Sequence, residues 1–160
     1  MKIALGADHA GFKLKEYVRD FLVSQDHEVM DKGAFSFDAD DDYPDFVFSV
    51  AHAVAEGEVE RGIVIGSSGQ GEGVAANRVK GIRALVYYGA HESLGQTSKV
   101  GEQKGIIESS REDNDSNILS LGASFVTHEE AKEVIEKWLN TPFTNEERHV
   151  RRIQKLDSTF

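Results

Sequence analysis

The chain contains no cysteine. Disulfides, thiol nucleophiles and thiolate metal sites are therefore excluded. It also lacks any apolar run near the roughly 18 residues that a membrane-spanning helix needs, so no span and no membrane partner are expected. The opening Met1-Lys2-Ile3-Ala4-Leu5-Gly6-Ala7-Asp8 is apolar for too few residues to act as a signal peptide and is broken by Asp8, which makes the cytoplasm the expected location. Positive charge is scarce: 18 Lys and Arg stand against 28 Asp and Glu, a formal net charge of −10. Nucleic-acid binding wants a basic face, so that balance disfavours it. A small anionic substrate is not disfavoured, because a local basic pocket can sit on an acidic protein. The content of 39% hydrophobic and 29% charged residues is that of an ordinary globular chain rather than a disordered one. A length of 160 residues suits one domain, 1–160, with a real core. Neither a repeat nor a linker suggests a second.

One stretch organises the rest. Gly62-Ile63-Val64-Ile65 reads as a short buried strand, and five of the six residues Gly66-Ser67-Ser68-Gly69-Gln70-Gly71 are Gly or Ser. Glu72 and Gly73 follow, and Val74-Ala75-Ala76-Asn77 reads as the first turns of a helix. Strand, glycine-rich turn and helix start point several backbone N–H groups at one spot, where an anion or a developing oxyanion can sit. Glu72 falls inside that cradle, a suitable place for a base that pulls a proton from carbon while the amides hold the enediolate. The plainer alternative is a tight turn with Glu72 as a favourable charge at a helix N-terminus. A glycine-rich turn alone leaves both open.

The remaining pattern alternates strand and helix. Strands are expected at residues 2–7, 27–31, 62–65, 82–88 and 117–121. A helix over 11–24 follows from Phe12, Leu14, Tyr17, Val18, Phe21 and Leu22 at helical spacing. Further helices are expected over 45–58, from 74 to about 80, over 127–139 with Thr127 or His128 near the N-cap, and over 144–156. In the last, Thr144-Asn145-Glu146-Glu147 resembles a capping box. Residues 89–109 read as a long loop with room for one helical turn, of the kind that is functional or mobile. Residues 34–44 read as a solvated loop carrying Asp38, Asp40, Asp41 and Asp42, without the regular spacing or glycine turn of a cation site. The predicted fold is α/β: a three-layer, doubly wound, five-stranded parallel sheet of Rossmann-like or flavodoxin-like order. Ligands bind such sheets beyond the carboxyl ends of the strands. Asp8-His9, residues 67–72 and the segment after the fourth strand all belong to that edge.

Other candidates have two readings each. Asp8 and His9 follow the first strand, where a histidine can bind phosphate or shuttle protons, or where Asp8 can cap the helix. Arg148, His149, Arg151 and Arg152 form a basic cluster on an acidic chain. Arg148 and Arg152 share a helix face and can clamp a phosphate, or the cluster can pair with Glu146 and Glu147. Tyr43, before Pro44, is a pocket wall or an anchor for its loop. His52, His91 and His128 have no partners at metal-ligand spacing and read as structural or solvated. A non-catalytic receiver or nucleotide-binding module is the rival to an enzyme, but only Asp8 fits a receiver.

The ordered set of motifs is similar to the type B ribose-5-phosphate isomerase family, which includes isomerases of galactose 6-phosphate and allose 6-phosphate. The matching pieces are Gly6-Ala7-Asp8-His9-Ala10-Gly11, Asp42-Tyr43-Pro44, Gly66-Ser67-Ser68-Gly69-Gln70-Gly71-Glu72 with Ala75-Ala76-Asn77, and Gly81-Ile82-Arg83-Ala84. Ser110-Arg111, Asn114-Asp115 and Arg148-His149-Val150-Arg151-Arg152 complete it, over nearly the whole chain. One branch of the family uses a cysteine base at the end of the third strand, where Gly66 stands; the other uses a glutamate, where Glu72 stands. The resemblance is to the glutamate branch.

It implies an aldose–ketose isomerase, most simply of ribose 5-phosphate and ribulose 5-phosphate, with hexose- or tetrose-phosphate isomerases as alternatives. Glu72 would move the proton between C1 and C2, and Ser68 with the amides of 67–71 would hold the cis-enediolate. Tyr43, Ser67, Gly69, Gln70 and Gly71 would line the substrate site. Asp8 would help open the furanose ring and Asn114 would hold a sugar hydroxyl. His9, Arg148, His149 and Arg152 would take the phosphate. The C-terminal helix would reach a neighbouring subunit's site, in a homodimer or a dimer of dimers. No metal or organic cofactor is implied. Two positions depart from the family pattern: Asp113 replaces a ring-opening histidine, and Ser124 replaces an arginine. An ionised Asp113 is a weak acid unless burial raises its pKa, so it would act as a base on the anomeric hydroxyl or leave ring opening to Asp8 or water. The longer segment 88–109 offers His91 or Lys99 in place of the arginine.

Overall fold

The computed structural model describes residues 1–89 and 104–158. Five strands, β1 (Lys2–Ala7), β2 (Glu28–Asp31), β3 (Arg61–Gly66), β4 (Ala84–Tyr87) and β5 (Ile118–Gly122), form one parallel sheet in the order β2-β1-β3-β5-β4. The last two strands are exchanged relative to the flavodoxin order 2-1-3-4-5. β5 lies between β3 and β4, pairing Gly62 with Ile118 and Ala84 with Ile118. Such a sheet is buried on both faces, which is why its central strands read as unbroken apolar runs.

The helices α1 (Phe12–Ser24), α4 (Ile106–Glu112) and α5 (His128–Asn140) cover one face. There Ile3, Leu5, Ile63, Ile65, Leu119 and Leu121 pack with Val18, Leu22, Ile135 and Trp138. The helices α2 (Tyr43–Ala55) and α3 (Gln70–Ala76) cover the other, where Ala4, Val64 and Ile118 meet Val47, Val50, Ala51 and Ala76. Alternate residues of β1 and β3 therefore serve opposite cores, the period-two rule of a strand. Helix α6 (Glu147–Asp157) closes the described chain. Lys15 is fully buried on α1, where its ammonium pairs with Asp31 Oδ2 at 2.8 Å and Glu16 Oε1 at 2.9 Å. A buried cation persists only when paired in this way.

Several boundaries differ from the sequence expectation. Helix α3 starts at Gln70, four residues before the expected Val74, so Glu72 lies on the first helical turn rather than in the loop. Helix α2 starts at Tyr43 instead of Asp45, with Pro44 in the first turn, where a missing N–H is harmless. Residues 106–109, read as loop, begin α4. The capping box at Thr144 does not form. α6 begins at Glu147 after an N-cap, Glu146, that makes no side-chain bond. Asn145 takes a left-handed φ of 56°, and Thr144 Oγ1 donates to the Glu112 carbonyl at 2.8 Å, tying the end of α4 to the start of α6. Thr127 does cap α5, accepting from the Glu130 N–H at 3.1 Å.

Candidate active site

The chain passes from β1 to β2 on one side and later to β3 on the other, so the crevice between the carboxyl ends of β1 and β3 is the topological switch point. Asp8-His9 leave β1 there and residues 67–72 leave β3. Glu72 is buried, 5% exposed. Its carboxylate lies directly over Gly66, and a Cβ built at residue 66 would overlap it. The last residue of β3 is therefore the seat of the Glu72 side chain. Burial first, and the charge of Asp8 in addition, push the Glu72 carboxyl above its ordinary pKa, while its own backbone N–H opposes them.

The loop between is tightly held. Gly69 takes φ +74°, a conformation that favours glycine, and its carbonyl accepts from the buried Ser120 Oγ at 2.7 Å. The Gln70 N–H donates to Ser68 Oγ at 3.3 Å. Ser67 Oγ and Ser124 Oγ are 3.0 Å apart at the exposed rim. Gly71 lies against the Tyr43 ring, a Cβ there being 3.0 Å from Tyr43 Cζ. Tyr43 is half-buried and packs beside the second core, so it is at once the wall of the crevice and an anchor for its loop.

Asp8 is 8% exposed, and its Oδ1 accepts from the Gly11 N–H at 3.1 Å, so it caps the turn into α1 while facing Glu72. The His9 ring and backbone both bond Asp41: Nδ1 lies 2.6 Å from Asp41 Oδ1 and the N–H donates to the same oxygen at 3.0 Å. The aspartate run is thus not uniformly solvated. Asp38, Asp40 and Asp42 are exposed, but the Asp41 side chain is 10% exposed. Nothing in the spacing of four near-identical aspartates singles out the one that turns inward. Asp8, His9 and Asp41 offer ligand atoms within 4.8 Å of one another. His9 Nδ1 and Asp41 Oδ1 are already bonded to each other, which leaves a poor donor set for a cation.

The other predicted residues lie elsewhere. Asp113 and Asn114 precede β5, so they sit at the amino edge of the sheet. Asn117, just before β5, accepts the Gly62 N–H at 2.9 Å and bonds Arg83, at the starts of the neighbouring strands. Five residues of β5 separate this edge from the Glu72 crevice, about 16 Å at roughly 3.3 Å per residue. His149 is buried here as well, with Nε2 3.4 Å from Asp113 Oδ1. Arg148 Nε donates to Glu146 Oε2 at 2.8 Å, the pairing that the sequence left as an alternative, and Arg151 and Arg152 are exposed. Asp113 is pulled below its ordinary pKa: burial raises it, but the hydrogen bond and charge of Lys104, the charge of His149 and the Ser109 hydroxyl more than offset that. It is not a general acid at neutral pH. Arg83 fixes the loop by donating to the carbonyls of Asn114 and Asp115, each at 3.0 Å. His52 is exposed near Glu56, and His128 stacks on Tyr17 at 4.3 Å, both consistent with the structural or solvated reading. His91 and Lys99 fall outside the described residues.

Comparison with known proteins gives the assembly of these motifs a family. The ribose/galactose isomerase profile matches residues 3–156. The chain belongs to the ribose/galactose isomerase family. It is 37% identical to ribose-5-phosphate isomerase B of Escherichia coli over 155 residues, covering 97% of this chain and 93% of that one. It is 36% identical to the Mycobacterium tuberculosis enzyme of the same name, covering 98% and 88%. Among solved structures, ribose-5-phosphate isomerase B of Clostridium thermocellum superposes with a TM-score of 0.86 at 39% identity, over 99% of this chain and 97% of that one. The Mycoplasma genitalium enzyme, solved with bound ribulose 5-phosphate, superposes with a TM-score of 0.83 at 33% identity, over 99% and 95%. Within the family frame, Ser124 stands where the resemblance implies an arginine, and it spends its hydroxyl on Ser67. Among the described residues no helix is long and apolar enough to cross a membrane.

Proposed function

We propose that this chain is an aldose–ketose isomerase that interconverts ribose 5-phosphate and ribulose 5-phosphate. The observation that carries the reading is the Glu72 carboxylate, buried over Gly66 at the switch point and held above its ordinary pKa. A base poised nearer neutrality is what removal of a proton from carbon requires. Glu72 takes the C2 proton of the open-chain aldose. The electron pair becomes the C1–C2 double bond, and the carbonyl pair moves to O1. Glu72 then returns the proton to C1 while the O2 hydroxyl proton passes to O1, leaving the ketone at C2. Ser68 and the amides of 67–71 hold the enediolate oxygens, and Tyr43, Gln70 and the backbone at Gly69 and Gly71 line the sugar. In ring opening Asp8 takes the proton of the anomeric hydroxyl while water gives one to the ring oxygen; Asp113, held ionised beside Lys104, cannot supply that proton. His9 meets the phosphate.

The site is completed by a second copy. Asn114, Arg148, His149 and Arg152 lie at the amino edge of their own sheet, and a two-fold homodimer brings that edge to the partner's Glu72 crevice. The chain then acts as one domain, in the cytoplasm, on a phosphorylated sugar. The test is a coupled assay of wild type and Glu72→Gln across pentose, hexose and tetrose phosphates, with solvent deuterium incorporation at C2. Pentose-phosphate turnover with deuterium uptake, lost in Glu72→Gln, supports the reading; a Glu72→Gln enzyme of unchanged turnover overturns it.

A further inference from the structure

The reaction as described uses His9 for the phosphate and gives Asp41 no part. A single oxygen, Asp41 Oδ1, accepts from both the ring Nδ1 and the backbone N–H of His9, at 2.6 and 3.0 Å. Two bonds to one acceptor fix the ring relative to its own backbone, so its rotation about χ1 and χ2 is removed. Phe37 meets the ring edge-on, with centroids 6.3 Å apart at 88°. Nδ1 is spent, and Nε2 is the nitrogen left for a ligand. The second oxygen, Asp41 Oδ2, is buried and has no hydrogen-bond partner among the described residues. A carboxylate this far from water needs a counter-charge, and its bonded neighbour is an imidazole.

We propose that Asp41 is the positioning residue for His9, locking its ring so that Nε2 is aimed at the sugar phosphate. This rests on the reading that His9 meets the phosphate. The groups facing the ring agree on its charge. The hydrogen bond that His9 donates to Asp41 raises the His9 pKa most; partial desolvation opposes it; the charges of Asp8 at the end of β1, and of Asp41 and Asp38 in the loop before α2, add to the rise. A phosphate dianion approaching this acidic loop needs such a cation, and a charge-assisted hydrogen bond is about twice as strong as a neutral one. The arrangement parallels the carboxylate–histidine pairs that fix a ring tautomer elsewhere in proteins.

The test has two arms. The His9 ring is titrated by 15N NMR in the free protein, for wild type, Asp41→Ala and Asp41→Asn. The midpoint is expected to fall in both variants, with the neutral wild-type ring protonated on Nδ1. Steady-state kinetics on ribose 5-phosphate then give KM at pH 6 and pH 8. Asp41→Ala is expected to raise KM about tenfold at pH 8 and much less at pH 6, with kcat changed far less. Phosphate titration is common to all forms and cancels in the ratio. An unmoved midpoint, or a KM ratio equal at both pH values, overturns the proposal. Should Asp41→Ala melt early, Asp41→Asn, which keeps the size and one acceptor, carries the measurement. His9→Ala with unchanged KM overturns the phosphate reading and the binding half of the proposal with it. The ring titration, made without substrate, judges the Asp41–His9 pair separately.

Discussion

Two carboxylates mark the two edges of the sheet. Glu72, at the carboxyl edge, is buried over a glycine with Asp8 as its charged neighbour, and its pKa rises. Asp113, at the amino edge, is partly buried too, but Lys104 Nζ lies 2.9 Å away and its pKa falls. The amino edge is rich in ion pairs. Asp115 binds Arg83 at 3.0 Å and Arg111 at 2.8 Å, and Lys104 also pairs with Glu112 at 2.8 Å. Desolvation acts on both acids, and the presence of a cation decides the sign. One edge favours the protonated form of its acid and the other the ionised form.

The comparison is broken most severely at Glu72. Glu72→Gln is expected to lower kcat by about 10² to 10⁴-fold while leaving the fold intact. Because the folded-state pKa of Glu72 is raised, its contribution is favourable at low pH and is lost as pH rises from the unfolded value through the folded one. Glu72→Gln should therefore melt higher than wild type at pH 8, with the gain shrinking toward pH 4, as read by calorimetry. Retention of the wild-type melting profile at both pH values would show that burial does not strain this acid. The acid limb of the kcat/KM profile is expected above the ordinary glutamate range.

Mixing the two edges tests whether they cooperate between chains. Glu72→Gln and Asn114→Ala are each expected to be nearly inactive. Co-refolded in equal amounts, they should recover about a quarter of wild-type activity, since half the dimers are mixed and each mixed dimer has one intact site. No recovery would place both edges' functions within one chain. Gly66→Ala is expected to lower kcat by about tenfold or more, because its Cβ displaces the Glu72 carboxylate; a structure of the variant should show that side chain moved. At the amino edge, Arg83→Ala removes three bonds to the loop of Asn114 and Asp115. It should raise KM severalfold without moving the pH midpoint of Glu72. The smallest effect is expected for Thr144→Ala, which loses one exposed bond to the Glu112 carbonyl, about 1 kcal/mol or less by denaturant melt.

The strands were legible because a sheet buried on both faces demands apolar runs, and Ile63-Val64-Ile65 meets that demand without tertiary information. The start of α3 was not. Gln70-Gly71-Glu72-Gly73 is a poor helix former, and the helix forms there because small residues let it lie close on the sheet: a Cβ at Gly73 would overlap Val86. Helix α4 is two turns long, too short for a period, with Ile107 as its buried aliphatic residue. The Thr144 box failed because its hydroxyl found a carbonyl of a different helix.

By itself, the order of residues determined the parallel α/β architecture and the grouping of Asp8, His9 and Glu72 at the strand ends. Those follow from local periodicity and from the rule that loops after parallel strands share one edge. Only the tertiary structure decided that Gly66 seats the Glu72 carboxylate, that Asp41 alone among its neighbours turns inward to His9, and that Asp113 and Asn114 face the opposite edge. Each of these depends on what lies across space from a residue. Desolvation and counter-charge are set by such neighbours, which a linear sequence does not place.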